Sequence, residues 1–175
     1  MPPSSPSPPL IHPVPDAQLT WVFGLLEMLE DRGGREDGYK IARDLSFKFS
    51  DLLKVMKAAE ILGLVSTPAG DVVLEPPGRE FLAADMNTRK RIIRDQLQKH
   101  SLFSYFVRLL RGQEDHSLTK EVVLEHLAML LPDERPERMF ATLVGWGRFA
   151  ELFGFNKDAD RFYLDEEAES PDAKR

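Results

Sequence analysis

Residues 58–82 read AAEILGLVSTPAGDVVLEPPGREFL, and the fold turns on how this stretch is read. Ala58 to Leu62 close a helical run that Gly63 can end in a left-handed cap. Val65 to Thr67 and Asp71 to Leu74 are short β-branched runs on either side of Pro68-Ala69-Gly70, a turn-forming triplet. Pro76-Pro77 then opens a new helix, because proline suits a first helical turn and cannot continue a strand. Helix, hairpin, helix in this order is the wing of a winged-helix unit.

Working back toward the N-terminus, Leu19, Val22, Phe23, Leu26 and Leu29 recur at helical spacing, with Asp16 as the expected N-cap. Gly33 and Gly34 end that helix. A second helix follows Asp37 and carries Tyr39, Ile41, Ala42 and Leu45. A third starts at Ser50 and stops at Gly63. Residues 1–15 hold prolines at 2, 3, 6, 8, 9, 13 and 15, so they read as a solvated tether.

The plan recurs toward the C-terminus. NTRKRIIRDQLQKH (87–100) and SLFSYFVRLLRG (101–112) form two helices or one bent helix. Thr119 caps the next helix, Pro132 ends it, and Pro136 opens the last long one. FGFNKDADRFYLDEE (153–167) supplies a second hairpin around NKDAD. The fold expected is mainly α with small β-hairpins, as two tandem winged-helix-like units. The boundaries are a tail at 1–15, a first unit at 16–86, a linking helix and second unit at 87–166, and a polar tail at 167–175.

Composition narrows the function. The net charge is −6 and 42% of residues are hydrophobic, which suits a packed core and not a phosphate-neutralising surface. There is no cysteine, hence no disulfide, thiolate metal site or cysteine nucleophile. No run of about 18 apolar residues marks a transmembrane segment, and MPPSSPSPPL lacks the layout of a secretory signal. A cytoplasmic location is expected.

A DNA-reading winged helix needs cationic or amide side chains on its third helix. The first candidate balances Lys54 and Lys57 against Asp51 and Glu60, and the second balances Arg138 and Arg148 against Glu137 and Glu151. The first wing carries Asp71 and Glu75 without a cation. Nucleic acid is therefore not the expected partner, and a winged-helix transcription regulator is the alternative reading. Enzyme chemistry finds no support either. No P-loop, HExxH pair or nucleophile elbow is present. Glu125–His126 are helical neighbours about 100° apart. No catalytic residue, cofactor or metal is expected, and small-ligand sensing between the two units has no specific motif behind it.

Two segments stand out as partner surfaces. TRKRIIRDQLQK (88–99) concentrates Arg89, Lys90, Arg91, Arg94 and Lys99 against Asp95, either as a solvated face or as a dock for an acidic partner. VGWGRFAELFGF (144–155) is the densest aromatic stretch. Trp146 there is core or the lining of a partner groove, and Arg148 is available to pair with a carboxylate or stack on a ring. Gly145 and Gly147 each cost a helix about 1 kcal/mol relative to Ala, so another element should approach closely there.

HPVPDAQLTWVFGLLEMLEDRGGREDGYKIARDL (12–45), the stretch around GDVVLEPPGREFLAADMNTRK (70–90) and LVGWGRFAELFGF (143–155) together resemble the AAA-associated C-terminal domain appended to ATP-binding subunits of nitrate/sulfonate/bicarbonate-type ABC importers. GGRED, ADMNTRK and WGRFAEL are its most telling pieces, and the resemblance spans about His12 to Leu164. It implies a non-catalytic accessory or regulatory protein-interaction module. The partner it implies is a protein such as an ABC transporter ATP-binding subunit, with homo-oligomerisation left open. No ATPase precedes the domain in this sequence, so a free-standing copy or a fragment is expected.

Overall fold

The computed structural model describes residues 10–165. Most of the expected tether and the polar tail lie outside the described residues. Helix α1 (Leu19–Asp31) forms because Leu19, Val22, Leu25, Leu26 and Leu29 share one face, and all five are buried. It ends where Gly33 and Gly34 take φ of 79° and 91°. The Gly34 amide donates to the Leu29 carbonyl at 2.7 Å, and the Gly34 carbonyl accepts from Leu74 at 2.8 Å. The cap thus delivers the chain straight into a sheet.

Strand β1 (Arg35–Asp37) leads into α2 (Gly38–Asp44), whose N-cap Asp37 accepts from the Lys40 amide. Then come α3 (Phe49–Ile61), β2 (Val65–Ser66), a 3-10 turn over Pro68–Gly70, and β3 (Asp71–Leu74). The last strand lies in the centre: the order is β1-β3-β2, all antiparallel, with Glu36 opposite Val72 and Val65 opposite Leu74. Val72 and Leu74 point inward, as period-two alternation requires.

Helices α4 (Pro76–Ala83) and α5 (Met86–Lys99) connect the halves. Gly78 lets α4 lie on the hairpin, since a Cβ there would sit 2.3 Å from the Leu64 carbonyl oxygen. Helix α6 (Ser101–Arg111) is separate from α5. His100 terminates one and caps the other, its Nδ1 accepting from the Leu102 amide at 3.3 Å. Strand β4 (Ser117–Leu118), α7 (Lys120–Leu130), α8 (Pro136–Phe149), β5 (Phe153–Asn156) and β6 (Arg161–Leu164) complete the chain. The second sheet has the order β4-β6-β5. Helix, strand, helix, helix, strand, strand therefore occurs twice, each time with the final strand central.

Two cap expectations need correction. The N-cap of α1 is Gln18, without a side-chain bond, and not Asp16. The Ala17 carbonyl is taken by another group, so regular helix starts only beyond it. The N-cap of α3 is Lys48 and not Ser50. Phe49 stacks on Tyr39 with ring centres 4.2 Å apart, and this packing fixes the first turn in place of a polar cap.

The chain packs well before Asp16. Ile11, Val14 and Ala17 are buried, while His12, Pro13 and Asp16 between them are exposed. An interval of three is the period of an extended threefold helix. Prolines 13 and 15 donate no hydrogen bond. The strap is held instead by the His12 amide on Ser101 Oγ (2.8 Å) and by Trp146 Nε1 on the Ala17 carbonyl (2.8 Å). Phe23 of α1 touches Phe81 of α4 at 4.6 Å and Phe149 of α8 at 5.0 Å. Buried residues from Ile11 to Leu164 make one contiguous cluster, so the halves share a core.

This shared core predicts a single urea transition. Trp146→Phe keeps a ring but orphans a buried carbonyl, and should lower stability by about 1–3 kcal/mol. Trp146→Ala should cost about 3–5 kcal/mol. Both should move the one transition as a whole, whereas two resolved transitions in the wild type would contradict the shared core.

His100 adds a pH dependence. Burial pushes its imidazole below the usual histidine range, and the neighbouring His12 adds to that. The unfolded chain then takes up the proton more readily than the folded one. The stabilisation is present above the ordinary value of about 6.5 and is lost as pH falls through the lower folded value. The melting temperature should drop on acidification through this window, and His100→Asn, which keeps a cap acceptor without titrating, should flatten the drop.

Candidate partner-binding surfaces

The basic run on α5 divides into residues with different tasks. Arg89 lies over the Phe81 ring at 5.0 Å and donates to the carbonyls of Phe81 (3.0 Å), Leu82 (2.9 Å) and Ala84 (3.1 Å). These carbonyls stand at the end of α4, where a cation also meets the negative pole of the helix; the Phe81 carbonyl accepts from the Ala84 amide as well. Lys90 pairs with Glu151 in the turn after α8, joining the linking helix to the second half. Arg94 is half-buried, and its Nε is enclosed without an acceptor among the described residues. Arg91 is exposed. Its charge is the smallest of the influences that hold the Asp85 carboxyl below the usual range; the Thr88 amide is the largest.

Trp146 and Arg148 do not join that face. Trp146 is 1% exposed, stacks near Phe103, and spends its N–H on Ala17. Its ring packs in the core. Arg148 is exposed and donates from Nη2 to the Phe155 carbonyl at 2.6 Å, tying β5 to α8, with neither a carboxylate nor a ring as its partner among the described residues. The two glycines beside Trp146 differ. A Cβ on Gly147 would lie 2.7 Å from Phe153 Cδ2, so close approach accounts for that glycine. At Gly145 a Cβ would meet nothing within 4 Å.

Gly145 borders a cleft of about 600 Å³ between α1, α8 and the α4–α5 corner, floored by Phe23, Phe81 and Phe149. A second cleft of about 470 Å³ runs between α3 and α8 under Pro13–Asp16. Lys54, Lys57, Arg135 and Arg138 line it, together with Asp133 and Glu134. The third helix of each half therefore borders the same cleft, and the strap forms part of its wall. Among the described residues no three His, Asp or Glu side chains are grouped to hold a metal. His126 is engaged with the Tyr105 hydroxyl at 2.6 Å, and burial raises that phenol above its usual range.

The sequence reading passed over an aromatic surface on the first half. Trp21 is 50% and Tyr39 is 68% exposed. Trp21 meets Phe47 edge-on at 4.6 Å, and Tyr39 stacks on Phe49. Leu45 and Leu53 of the same half are exposed as well. A signal was available, since Trp21 stands off the buried stripe of α1 and has no helical reason to be apolar.

Residues 39–156 match the C-terminal AAA-associated domain. No curated protein and no solved structure matches the chain. The match runs from the first turn of α2 to the end of β5, so it includes both third helices and the whole connection between the halves. It covers more than half of the residues. The chain belongs to the C-terminal AAA-associated domain family.

Proposed function

We propose that the protein is a non-catalytic accessory module that regulates or recruits by binding protein, its partner being an ATP-binding subunit of an ABC importer in the cytoplasm. Its two halves are read as winged-helix-like units, a reading supported by the repeated element order and the central position of the last strand in each sheet. Family membership supports the accessory role. The observation that carries the choice of protein over DNA is the placement of the third helices. Both α3 and α8 border one cleft that Pro13–Asp16 also line, so neither stands alone as the free helix that a groove about 12 Å wide would take.

The alternative, a winged-helix transcription regulator, needs unneutralised cations on those helices. Lys57 leans on Glu60 at 3.4 Å and Arg148 is committed to Phe155, which leaves Lys54 on α3 and Arg138 on α8 beside the cleft. No helix among the described residues is long and apolar enough to cross a membrane.

In a low-salt mobility-shift titration with mixed-sequence DNA, the chain should leave the duplex unretarded. Tight, salt-sensitive retardation would favour the regulator reading. On α5 the proposed contact residues are Arg91 and Arg94. Arg91→Glu should weaken capture of a purified importer ATP-binding subunit while leaving the melting temperature within a few degrees. Arg89→Glu should instead cost about 1–3 kcal/mol of stability, because it takes the guanidinium donors from the Leu82 and Ala84 carbonyls and sets a negative charge at the end of α4. Unchanged capture by the Arg91 and Arg94 variants would make this face merely solvated.

A further inference from the structure

Among the described residues Arg94 of α5 makes no hydrogen bond and no ion pair, although it is half-buried. A guanidinium stays charged and offers several N–H donors, so enclosing one without an acceptor carries a desolvation cost. Of its nitrogens only Nε is fully enclosed. The Nη atoms are reachable by an acceptor that arrives from the surface.

The second sheet hands the chain over beside this residue. Strand β6 runs antiparallel to β5, with Leu164 opposite Phe153, and the Asp165 amide donates to the Leu152 carbonyl at 2.9 Å. Leu152 follows Glu151, whose carboxylate holds Lys90. Arg94 stands one helical turn beyond Lys90, about 6 Å along α5 and about 40° round it. Residue 165 is therefore next to the Lys90–Glu151 pair. The residues that follow it in sequence are Glu166-Glu167-Ala168-Glu169-Ser170-Pro171-Asp172, with four carboxylates and no cation; Lys174 and Arg175 come after them. An extended chain advances about 3.3 Å per residue, which brings Glu167 and Glu169 within reach of Arg94.

The charges around α5 leave Arg94 unanswered. Lys90 is met by Glu151, and Arg89 faces the end of α4. The Asp85 carboxyl is held first by the Thr88 amide and least by Arg91. Asp95 is exposed and lies about 100° round the helix from Arg94, on the side away from Lys90, with Lys99 one turn beyond it. Arg91 is exposed and stands between Arg94 and Asp95 on the helix surface.

We propose that residues 166–172 cover this side of α5, with the carboxylates of Glu167 and Glu169 on the Arg94 and Arg91 guanidiniums. Arginine–carboxylate pairing supplies the acceptor that the described residues do not. The covering is a property of the chain by itself. Its regulatory consequence rests on the accessory-module reading, in which Arg91 and Arg94 are the contacts. A partner must displace the acidic run, and its affinity falls with the fraction of time that the face is covered.

The chain holds no cysteine, so Ala168→Cys gives a unique attachment point for a nitroxide label. In the full chain the label should broaden the amide NMR signals of Arg91, Arg94 and Gln98. About 1 M salt, which shortens the screening length to about 3 Å, should sharpen them again. So should Glu166→Gln/Glu167→Gln/Glu169→Gln/Asp172→Asn, and so should Arg91→Gln/Arg94→Gln at the same positions, with melting confirming each fold. Absent broadening overturns the proposal, and so does broadening that survives salt and both sets of substitutions, which reports only closeness along the chain. Broadening that also appears when labelled chain is mixed with unlabelled, isotope-enriched chain overturns it too, and gives the acidic run to a second copy. The neutralised chain should capture a purified importer ATP-binding subunit about tenfold more tightly than wild type, the gain expected where the face is covered about nine-tenths of the time. Equal capture by the two, with the salt-sensitive broadening seen, upholds the covering and removes Arg91 and Arg94 as partner contacts. Capture by neither ends the accessory reading, and the NMR result still decides the covering.

Discussion

An indole N–H donated from Trp146 to the carbonyl of Ala17, across 129 residues of sequence, fixes how the two halves meet. The carbonyl is enclosed by the core, and a buried acceptor left without a donor costs about 1–3 kcal/mol. The bond anchors the strap, which lines the cleft between α3 and α8, two residues before α1 begins at Leu19. It also sets the rotation of α8, because the indole can reach Ala17 only with its ring among Phe103 and the neighbouring core. So placed, α8 borders the same cleft as α3.

Local rules made most of the elements readable. Leu19, Val22, Leu26 and Leu29 declare a helix by spacing, Gly33 and Gly63 end helices by their freedom at positive φ, and Thr119 caps where its hydroxyl suggests. The elements that escaped have no local cause. Strand β1 is Arg-Glu-Asp, a sequence with no preference for a sheet, and it is extended only because β3 lies beside it. Strand β4, Ser-Leu, depends in the same way on β6. Ile11 and Val14 sat inside a Pro-rich stretch whose composition argues for solvation. The interval of three was the one trace of their burial.

The functional surfaces were less legible, because composition counts charges without seeing what each one meets. Arg89, Lys90, Arg91 and Arg94 are alike in sequence. One caps a foreign helix, one bridges to Glu151, one is half enclosed, and one faces solvent. No spacing rule separates them, since the deciding partners arrive from α4 and from the turn after α8. Aromatic density misled in the other direction. The stretch around Trp146 is rich in rings because it is core, while the exposed rings at Trp21 and Tyr39 stand apart in sequence and come together only when α1, α2 and α3 pack.

The two halves share an order of elements but use their aromatic residues in opposite ways. The second half turns them in: Phe103, Phe106, Phe153 and Phe162 are fully enclosed, with Phe153 5.0 Å from Phe162 and 6.1 Å from Phe103. In the first half Phe81 alone is enclosed to that degree among the largest side chains, and four other rings pair at the surface. A core so dense in rings gives rigidity, and the strap carries that rigidity to α1 through Ala17. Trp21 lies four residues beyond Ala17, so the exposed ring nearest the strap stands on the segment that the second half anchors. In this arrangement the second half encloses its rings, and the first half leaves two ring pairs at the surface.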